Sequence, residues 1–247
     1  MRDWTIEMRE QRKWIVDRVY TAEANGVVLG VSGGIDSATV AYLAKSLPFR
    51  REFLHLNLWP GVQQSYWSLD QRLNIRMLNL DEAYGILRDQ LMQATLVDRN
   101  KIADGNLAAR LRMVVLYGVA NLANLLVLGT TNRTELELGY FTKFGDGACD
   151  LEPIADLTKT EVREFAKVLE VPQEVLDATP SAGLWEGQTD KEELGIPYER
   201  LDHLITGFIG DSEFETWKKA RPEDPGSLLR EEKDKVRKLR KASEHKR

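Results

Sequence analysis

Residues 29–43 read LGVSGGIDSATVAYL, and this stretch decides the fold. The apolar run at its start predicts a buried parallel strand over residues 27–32. A turn follows at Gly33 and Gly34, and residues 36–47 then predict a helix. Free backbone N–H groups and the positive end of the helix dipole meet at such a turn, so the stretch predicts a site for an anion.

The rest of the chain repeats this alternation of strands and helices. Alternation is typical of an α/β fold in which a doubly wound parallel sheet is flanked by helices. The chain, residues 1–247, has the length of one such domain, and we expect a helical extension or tail over 198–247. Periodicity predicts further strands at 52–58, 75–80 and 125–130 and helices at 3–24, 65–73, 81–93 and 106–124.

Composition narrows the class of protein. The formal net charge of −5 argues against a general nucleic-acid binder. Cys149 is the only cysteine, which excludes a disulfide within the chain and a zinc site built on cysteines. A charged N-terminus without an apolar core, and no run long enough for a membrane span, predict a soluble cytoplasmic protein.

The second half of the chain contains long polar segments. After Gly129 the sequence is polar, dotted with glycine and poorly periodic, which predicts a functional loop region. Thr158 and Glu161 form a capping-box pattern ahead of a short helix. Residues 179–197 predict another long loop. Residues 228–247 carry nine Lys or Arg against four Asp or Glu, a pattern shared by solvated tails, nucleic-acid arms and lids.

The glycine turn differs from the common phosphate-binding loops. It lacks the lysine of the nucleoside-triphosphatase P-loop, and its glycine spacing is not the dinucleotide fingerprint. An acidic residue, Asp36, stands at the start of the helix instead. A tight turn followed by an ordinary first-turn acid has the same pattern. Strand, SGGIDS and helix in one unit favour a binding site over a bare turn.

SGGIDS at 32–37 resembles the SGGxDS signature of the PP-loop ATP pyrophosphatase superfamily, which has the adenine-nucleotide alpha-hydrolase-like fold. Enzymes of that superfamily cleave ATP between the α- and β-phosphates, release pyrophosphate and adenylate a substrate oxygen. The resemblance implies that the turn holds pyrophosphate and that Asp36 binds Mg²⁺. An acidic side chain would then serve a phosphate site by bringing the cation that neutralises the phosphates.

Further motifs resemble the NAD synthetase family and occur in the same order, so the resemblance extends from about residue 27 to the end. The family implies that deamido-NAD, ATP and ammonia give NAD, AMP and pyrophosphate through an acyl adenylate, in the last step of NAD biosynthesis. It also implies a homodimer with substrate at or near the interface. The motifs are GTTNRTE (129–135), GYFTKFGDG (139–147), DLEPI (150–154), LTK (157–159), PSAGL (180–184), ELGIPY (193–198) and EHKR (244–247).

The resemblance also implies a role for individual residues. Asp36 and Glu135 would hold Mg²⁺, and these two with Lys159 would be the catalytic residues. Contacts to ATP would come from Gly30, Val31, Ser32, Gly33, Gly34, Ile35, Asp36, Ser37, Thr130, Lys159 and Ser181. Contacts to deamido-NAD would come from Arg110, Lys143, Asp150, His245 and Lys246.

Two positions depart from the family's pattern. Ser181 stands where the family usually has threonine, and it keeps the hydroxyl. Residues 57–61, NLWPG, replace a segment that often contains arginine, so no arginine contact to the adenosine is assigned there.

Loops at 60–68 and 181–195 have the Gly, Pro and polar composition of lids that exclude water.

Several residues keep an alternative interpretation. Arg112 is as good a candidate as Arg110, and either could form a structural ion pair. Cys149 has no base partner visible in the sequence, which favours an inert thiol. The helices at 4–20 and 106–124 are candidates both for a dimer interface and, since apolar residues nearly surround the second, for deep burial in the core.

Two other functions use the same signature. One is another PP-loop enzyme, such as the synthetase half of GMP synthetase or a tRNA thiolase; the single cysteine argues against a thiolase. The other is a non-catalytic nucleotide sensor, which would not need both Asp36 and Glu135. Relatives that use glutamine have an additional amidase domain, so we expect free ammonia as the nitrogen source unless a separate subunit supplies it.

Overall fold

The described strands form one parallel sheet in the order β3-β2-β1-β4. The structure, a computed structural model, describes residues 2–58, 69, 72–95, 100–178, 190–206 and 225–246. The predicted doubly wound parallel sheet flanked by helices is confirmed. Its strands are β1 (Gly26–Gly30), β2 (Arg50–Asn57), β3 (Arg76–Asn79) and β4 (Leu125–Leu128).

The helices of the described residues lie on both faces of the sheet and beyond one end of it. A 3₁₀ turn, Glu244–Lys246, follows the last of them. In chain order they are α1 (Trp4–Thr21), α2 (Ile35–Ala44), α3 (Asp81–Thr95), α4 (Lys101–Ala123), α5 (Arg133–Leu138), α6 (Lys159–Val168), α7 (Gln173–Leu176), α8 (Asp190–Leu194), α9 (Tyr198–Thr206) and α10 (Pro225–Ala242).

The two faces of the sheet have separate cores because successive side chains of a strand point to opposite faces. Val27 and Leu29 of β1 pack with α1, α2 and α6 on one face. Val28 packs with α3 and α4 on the other. Both faces are therefore covered, which explains why the strand sequences are apolar runs rather than alternating patterns.

Helix α2 is buried along its whole length except at Asp36. Fully buried residues such as Val40 and Leu43 each contribute roughly 1.5–3 kcal/mol relative to an exposed position. The helix that begins at the glycine turn is thus held by the core, and the one side chain that turns outward is the acidic one.

Helix boundaries follow local capping chemistry. Thr158 and Glu161 form the predicted capping box of α6, with both reciprocal bonds present. A second capping box, Asn132 with Glu135, begins α5 inside the segment that the sequence predicted as loop. Gly139 ends α5 with a φ of 65°, a left-handed conformation that favours glycine.

Other predicted boundaries need correction. The helix expected at 106–124 begins earlier, at Lys101, because Asn100 caps it through its side chain. Part of the predicted loop 179–197 is helical, since α8 begins at Asp190. The predicted lid 60–68, most of the helix 65–73, and Ser181 lie outside the described residues.

The prediction that 106–124 is deeply packed on all sides is wrong within this single chain. Of α4, the buried residues are Gly105, Ala108, Ala109 and Ala120. Val114 is 58% exposed and Leu122 is 91% exposed. Among the residues that the structure describes, the covered face of α4 is the one on the sheet, and exposed apolar side chains such as Val114 and Leu122 need a partner or stay in contact with water.

A third apolar cluster joins the C-terminal helices to α5. Leu138 of α5 packs with Leu201 of α9 and Val236 of α10. Arg200 of α9 also pairs with Glu232 of α10 at 2.7 Å, in a position where both side chains are about 10% exposed. The C-terminal segment is therefore packed against the residues that follow β4.

Within the described part of the chain, no helix is both long and apolar enough for a membrane span.

Candidate active site

The site lies where the strand order of the sheet reverses. The chain passes from β1 to β2 and β3 on one side, whereas β4 lies on the other side of β1. Ligands of such sheets bind at the carboxyl ends of the two strands that flank this switch point. A cavity of about 710 Å³ opens there, and its lining includes Gly30, Asp36, Thr130, Glu135 and Lys159.

The glycine turn is held open by its own hydroxyls. Gly33 has a φ of 92°, which favours glycine. The Ser32 hydroxyl accepts from the Gly34 N–H at 3.2 Å, and the Ser37 hydroxyl accepts from the Ser32 N–H at 3.1 Å. Gly34 is the N-cap of α2 and has no side chain to cap it. The first N–H groups of α2 therefore face the cavity as potential anion donors.

The Lys159 side chain joins two carboxylates from helices that follow different strands. Its ammonium lies 2.5 Å from Asp36 Oδ2 and 3.3 Å from Glu135 Oε1. Asp36 begins α2 after β1, Glu135 lies in the first turn of α5 after β4, and Lys159 begins α6. The structure thus brings together the three residues predicted to be catalytic, which are separated by up to 123 positions in the chain.

Burial and charge act in opposite directions on this group. Burial raises the pKa of Glu135, and the Lys159 ammonium only partly offsets that effect. Burial also acts to lower the pKa of Lys159, but Asp36 and Glu135 outweigh it and raise that pKa. Lys159 is therefore charged at neutral pH. The raised pKa of Glu135 favours its protonated carboxyl, and a cation bound there would have to displace that proton.

Asn132 is a site residue that sequence reasoning missed. Its side-chain amide donates to Asp36 Oδ1 at 3.0 Å, and its backbone N–H donates to Glu135 Oε2 at 3.1 Å. Its side-chain oxygen also accepts from the Glu135 N–H at 3.0 Å. It therefore fixes both carboxylates at once. The signal was present, because Asn followed three residues later by Glu is a capping-box pattern.

Tyr198 extends the network beyond Lys159. The Lys159 ammonium lies 5.0 Å from the centre of the Tyr198 ring, within the range of a cation–π interaction. The Tyr198 hydroxyl donates to Asp190 at 2.8 Å, and Tyr140 donates to the same carboxylate at 3.2 Å. Asp190 of α8 and Tyr140 also line the cavity. Tyr198 of α9 is connected to it through its bond to Asp190 and its contact with Lys159.

Four of the residues predicted for deamido-NAD form a second cluster. Arg110 donates to the Lys143 carbonyl at 3.2 Å, and the Lys143 ammonium donates to the carbonyl of His245. The Lys246 ammonium donates to the carbonyls of Gly139 and Phe141 at 2.9 and 2.7 Å. Of the four, only Lys246 is among the residues that line the described cavity. The C-terminal turn therefore closes over the segment after α5.

Asp150 is placed differently. Its carboxylate accepts from the Val127 N–H at 2.7 Å and from the Tyr117 hydroxyl at 3.2 Å, so it supports the edge of β4. It is not among the residues that line the described cavity. Its contact with deamido-NAD stays a prediction.

Some residues line the cavity although the resemblance gave them no role. Arg112, the alternative to Arg110, donates to the Leu56 carbonyl at 3.1 Å, and burial lowers its pKa. His55 Nδ1 lies 2.9 Å from the Val31 carbonyl at the end of β1. Asp146, within the GDG motif, accepts from the Thr142 N–H at 2.9 Å.

Cys149 has the environment of an inert thiol. It donates to Glu152 at 3.1 Å, and burial together with that carboxylate raises the thiol pKa. A raised pKa leaves little thiolate, which is the nucleophilic form. The interpretation of Cys149 as a nucleophile is therefore not supported.

Comparison with known proteins identifies the family. The family model described as NAD synthase matches residues 7–247. An NH(3)-dependent NAD(+) synthetase from Carboxydothermus hydrogenoformans is 44% identical over 211 residues, which cover 83% of this chain and 87% of that protein.

Two solved structures share the fold over nearly the whole chain. An NMN synthetase from Francisella tularensis has a TM-score of 0.83 at 33% identity and covers 100% of this chain and 97% of its own. An NH3-dependent NAD synthetase from Campylobacter jejuni has a TM-score of 0.75 at 27% identity. The match covers 99% of this chain and 96% of the Campylobacter chain. With a family model that spans almost all of its length and a relative that is 44% identical, the chain belongs to the NAD synthase family of ligases.

Proposed function

We propose that this chain uses ATP to adenylate the nicotinate carboxylate of deamido-NAD and then joins ammonia to it, with Asp36, Glu135 and Lys159 as its catalytic residues. The observation that carries the proposal is the position of these three side chains above the glycine turn. A carboxylate is a poor electrophile, so amide formation needs an activated form such as the acyl adenylate. Membership of the family supports the same reaction.

The donor set fits Mg²⁺ delivered with the nucleotide. Asp36 and Glu135 supply the carboxylate oxygens that Mg²⁺ prefers. Within the described residues, no cluster of three or more His, Cys, Asp and Glu side chains has the arrangement of a metal site. Mg²⁺ in nucleotide enzymes is held by one or two carboxylates together with the phosphates of the substrate, so two protein ligands are sufficient. The bound cation would supply charge neutralisation for the leaving pyrophosphate.

The protein's own groups do the positioning. The N–H groups at the start of α2 and the hydroxyls of Ser32 and Ser37 would hold the leaving phosphates. The Lys159 ammonium would neutralise charge that develops on them, and Asp36 and Glu135 keep that ammonium protonated. Phosphoryl transfer depends on positioning and electrostatic stabilisation more than on covalent catalysis, which agrees with a site whose thiol is inert.

Product analysis tests the proposal. Incubation with ATP, Mg²⁺, deamido-NAD and ammonium should give NAD, AMP and pyrophosphate in equal amounts. Formation of ADP, or ATP cleavage that does not depend on deamido-NAD, would contradict it. Glutamine in place of ammonium should give little NAD, because we expect free ammonia to be the nitrogen source.

We also propose a homodimer, which the exposed apolar side chains of α4 support. Val114 and Leu122 project from a helix whose other face lies on the sheet. A second copy that packs on α4 would bury them, and specific interfaces typically bury about 800 Å² per partner. Light scattering of the purified chain should give twice the mass of 28.1 kDa. A monomeric mass at micromolar concentration would contradict the dimer.

We also propose that residues 1–247 act as one domain whose C-terminal part, from residue 198, completes the site, and that it works in the cytoplasm. The packing of Leu201 and Val236 on Leu138 supports the first point. The free thiol of Cys149 and the use of ATP fit a reducing, ATP-containing compartment. Cell fractionation tests the location.

A second candidate substrate is nicotinate mononucleotide, whose amidation gives NMN. The similarity to the NMN synthetase from Francisella tularensis favours it, since that structure covers all of this chain. Both reactions use the same adenylation chemistry. The values of kcat/KM for deamido-NAD and for nicotinate mononucleotide, measured side by side, decide between them, and we expect the larger value for deamido-NAD.

A further inference from the structure

Asp202 is a buried carboxylate outside the cavity lining. It lies on α9 and is 3% exposed. Its Oδ2 accepts from both the backbone N–H and the hydroxyl of Thr160, each at 2.8 Å. Its Oδ1 accepts from the hydroxyl of Thr134. Three donors thus meet one buried carboxylate.

The donors belong to the first turns of the two helices that carry catalytic residues. Thr134 precedes Glu135 in α5, and Thr160 follows Lys159 in α6. The Thr134 hydroxyl also accepts from the backbone N–H of Lys159 at 3.0 Å. Asp202, Thr134 and Lys159 therefore form a continuous chain of hydrogen bonds between α9, α5 and α6.

We infer that Asp202 is a positioning residue that fixes the N-termini of α5 and α6 relative to each other, and thereby sets the distance between Glu135 and Lys159. The inference rests on the proposed function of those two residues. Asp202 itself does not touch the reacting atoms.

A carboxylate suits this position better than an apolar or amide side chain. The orphan N–H groups of a helix's first turn need acceptors, and a negative charge there also interacts favourably with the helix dipole. One carboxylate can satisfy two helices at once because it has two oxygens with several acceptor sites. An amide keeps only one oxygen, so one of the three donors loses its acceptor.

The decisive variant is Asp202→Asn, with Glu232→Gln as the matched control. Both changes replace a buried carboxylate by its amide, and both carboxylates contribute to the packing of α9. Glu232 accepts from Arg200 of that helix, but it joins α9 to α10 and not to α5 or α6. Either variant should lower the unfolding temperature, so loss of stability alone does not distinguish them.

The readouts are the affinity for ATP with Mg²⁺, from titration calorimetry without deamido-NAD, and kcat. Misplacement of catalytic groups by about 1 Å costs on the order of 100-fold in rate, so we expect Asp202→Asn to lower kcat about 10- to 100-fold and to weaken ATP binding. Glu232→Gln should change neither by more than about twofold. A folded Asp202→Asn with both values within twofold of the wild type overturns the inference, and so does a Glu232→Gln that is equally impaired.

Thr134→Val keeps the test decisive where Asp202→Asn does not fold. It removes only the hydroxyl between Asp202 and the Lys159 N–H and keeps the shape of the side chain. We expect the same loss of kcat and of ATP affinity, and we expect Thr134→Ser, which keeps the hydroxyl, to restore both. The inference is overturned if Thr134→Val has the kcat and the ATP affinity of the wild type. It is also overturned if Thr134→Ser loses as much of both as Thr134→Val does.

Failure of the proposed function gives a different result. Glu135→Gln and Lys159→Met that turn over normally would refute the catalytic assignment itself. If those two variants lose activity while Asp202→Asn and Thr134→Val do not, only the role of Asp202 is refuted.

Discussion

The two clusters of predicted site residues differ in how the chain holds them. The cluster predicted to be catalytic, Asp36, Glu135 and Lys159, is held by bonds between side chains, and Lys159 is only 3% exposed. Asn132 donates hydrogen bonds to both carboxylates of this cluster. The substrate cluster of Arg110, Lys143, His245 and Lys246 is more exposed, and its bonds run mainly to backbone carbonyls. The first cluster is preorganised within one chain, whereas the second presents its charges to the outside.

This difference teaches where each substrate can be recognised. A preorganised, partly buried group is suited to the phosphates, because charges in such surroundings interact strongly and need no reorganisation. A more exposed cluster of positive charges is suited to a larger ligand that stays partly in contact with water.

The largest effect is expected in the catalytic cluster. Glu135→Gln keeps the shape of the side chain but removes the carboxyl group proposed to hold Mg²⁺. Turnover should therefore fall about 100- to 1,000-fold, which is the typical cost of losing one electrostatic group in a preorganised site. Steady-state kinetics at saturating ATP and Mg²⁺ measure the loss. Glu137→Gln is the control, since Glu137 lies on the same helix but pairs with Arg240 away from the cavity. Comparable losses in both variants would contradict the assignment.

A smaller effect is expected from the apolar residues of α4. Val114→Asp places a charge at a position that is 58% exposed in the single chain, so the monomer should fold but the dimer should dissociate. Size-exclusion chromatography with light scattering measures the mass, and turnover with deamido-NAD should fall about tenfold or more because the family resemblance implies a substrate at or near the subunit interface. A dimer that survives the change would place the interface elsewhere.

In the substrate cluster, Lys143→Ala should raise KM for deamido-NAD about tenfold, the size of one charge-assisted contact, and leave KM for ATP unchanged. Lys167→Ala serves as the control, because Lys167 is an exposed lysine paired with Glu164 on α6. An equal rise of both KM values in Lys143→Ala would mean that the two clusters are not separate.

The smallest effect concerns pH and stability. Burial raises the pKa of Glu152 from its ordinary value of 4.5 to about 7, although it accepts from Cys149 and from the Thr131 N–H. The protonated carboxyl is then favoured in the folded state. Its stabilising effect is fully present below pH 4.5 and is lost as the pH rises through about 7.

Glu152→Gln should therefore remove part of the decline in unfolding free energy between those pH values, on the order of 1–3 kcal/mol. Chemical denaturation at several pH values measures the difference between variant and wild type. Parallel pH profiles for the two proteins would show that Glu152 does not titrate in this range.

Much of the fold follows from local patterns that the sequence contains. The strand at 27–32 and the helix at 36–47 were predicted within two or three residues of β1 and α2, because burial on both faces of a parallel sheet requires continuous apolar runs. The capping box at Thr158 also depends only on neighbours in sequence. Helix α5 was missed because a short helix between glycine-rich turns has no clear periodicity.

The site residues divide in the same way. The motif SGGIDS and its order after a strand predicted where phosphates would bind, and family resemblance supplied Glu135 and Lys159. The capping box of Asn132 with Glu135 is a local pattern, but the bond from Asn132 to Asp36 could not be predicted because it joins distant segments. The contacts that join Asp190, Tyr198 and Lys159 could not be predicted for the same reason.

The sequence by itself determined the class of the fold, the glycine turn and its acid, and the family, since all of these depend on residue type at short spacing. The tertiary structure alone decided which charges meet, that Asp150 supports β4 instead of lining the cavity, and that α4 leaves Val114 and Leu122 uncovered. The physical reason is that hydrogen bonds, burial and pKa shifts depend on distances in space, which only the packing of the sheet and its helices establishes.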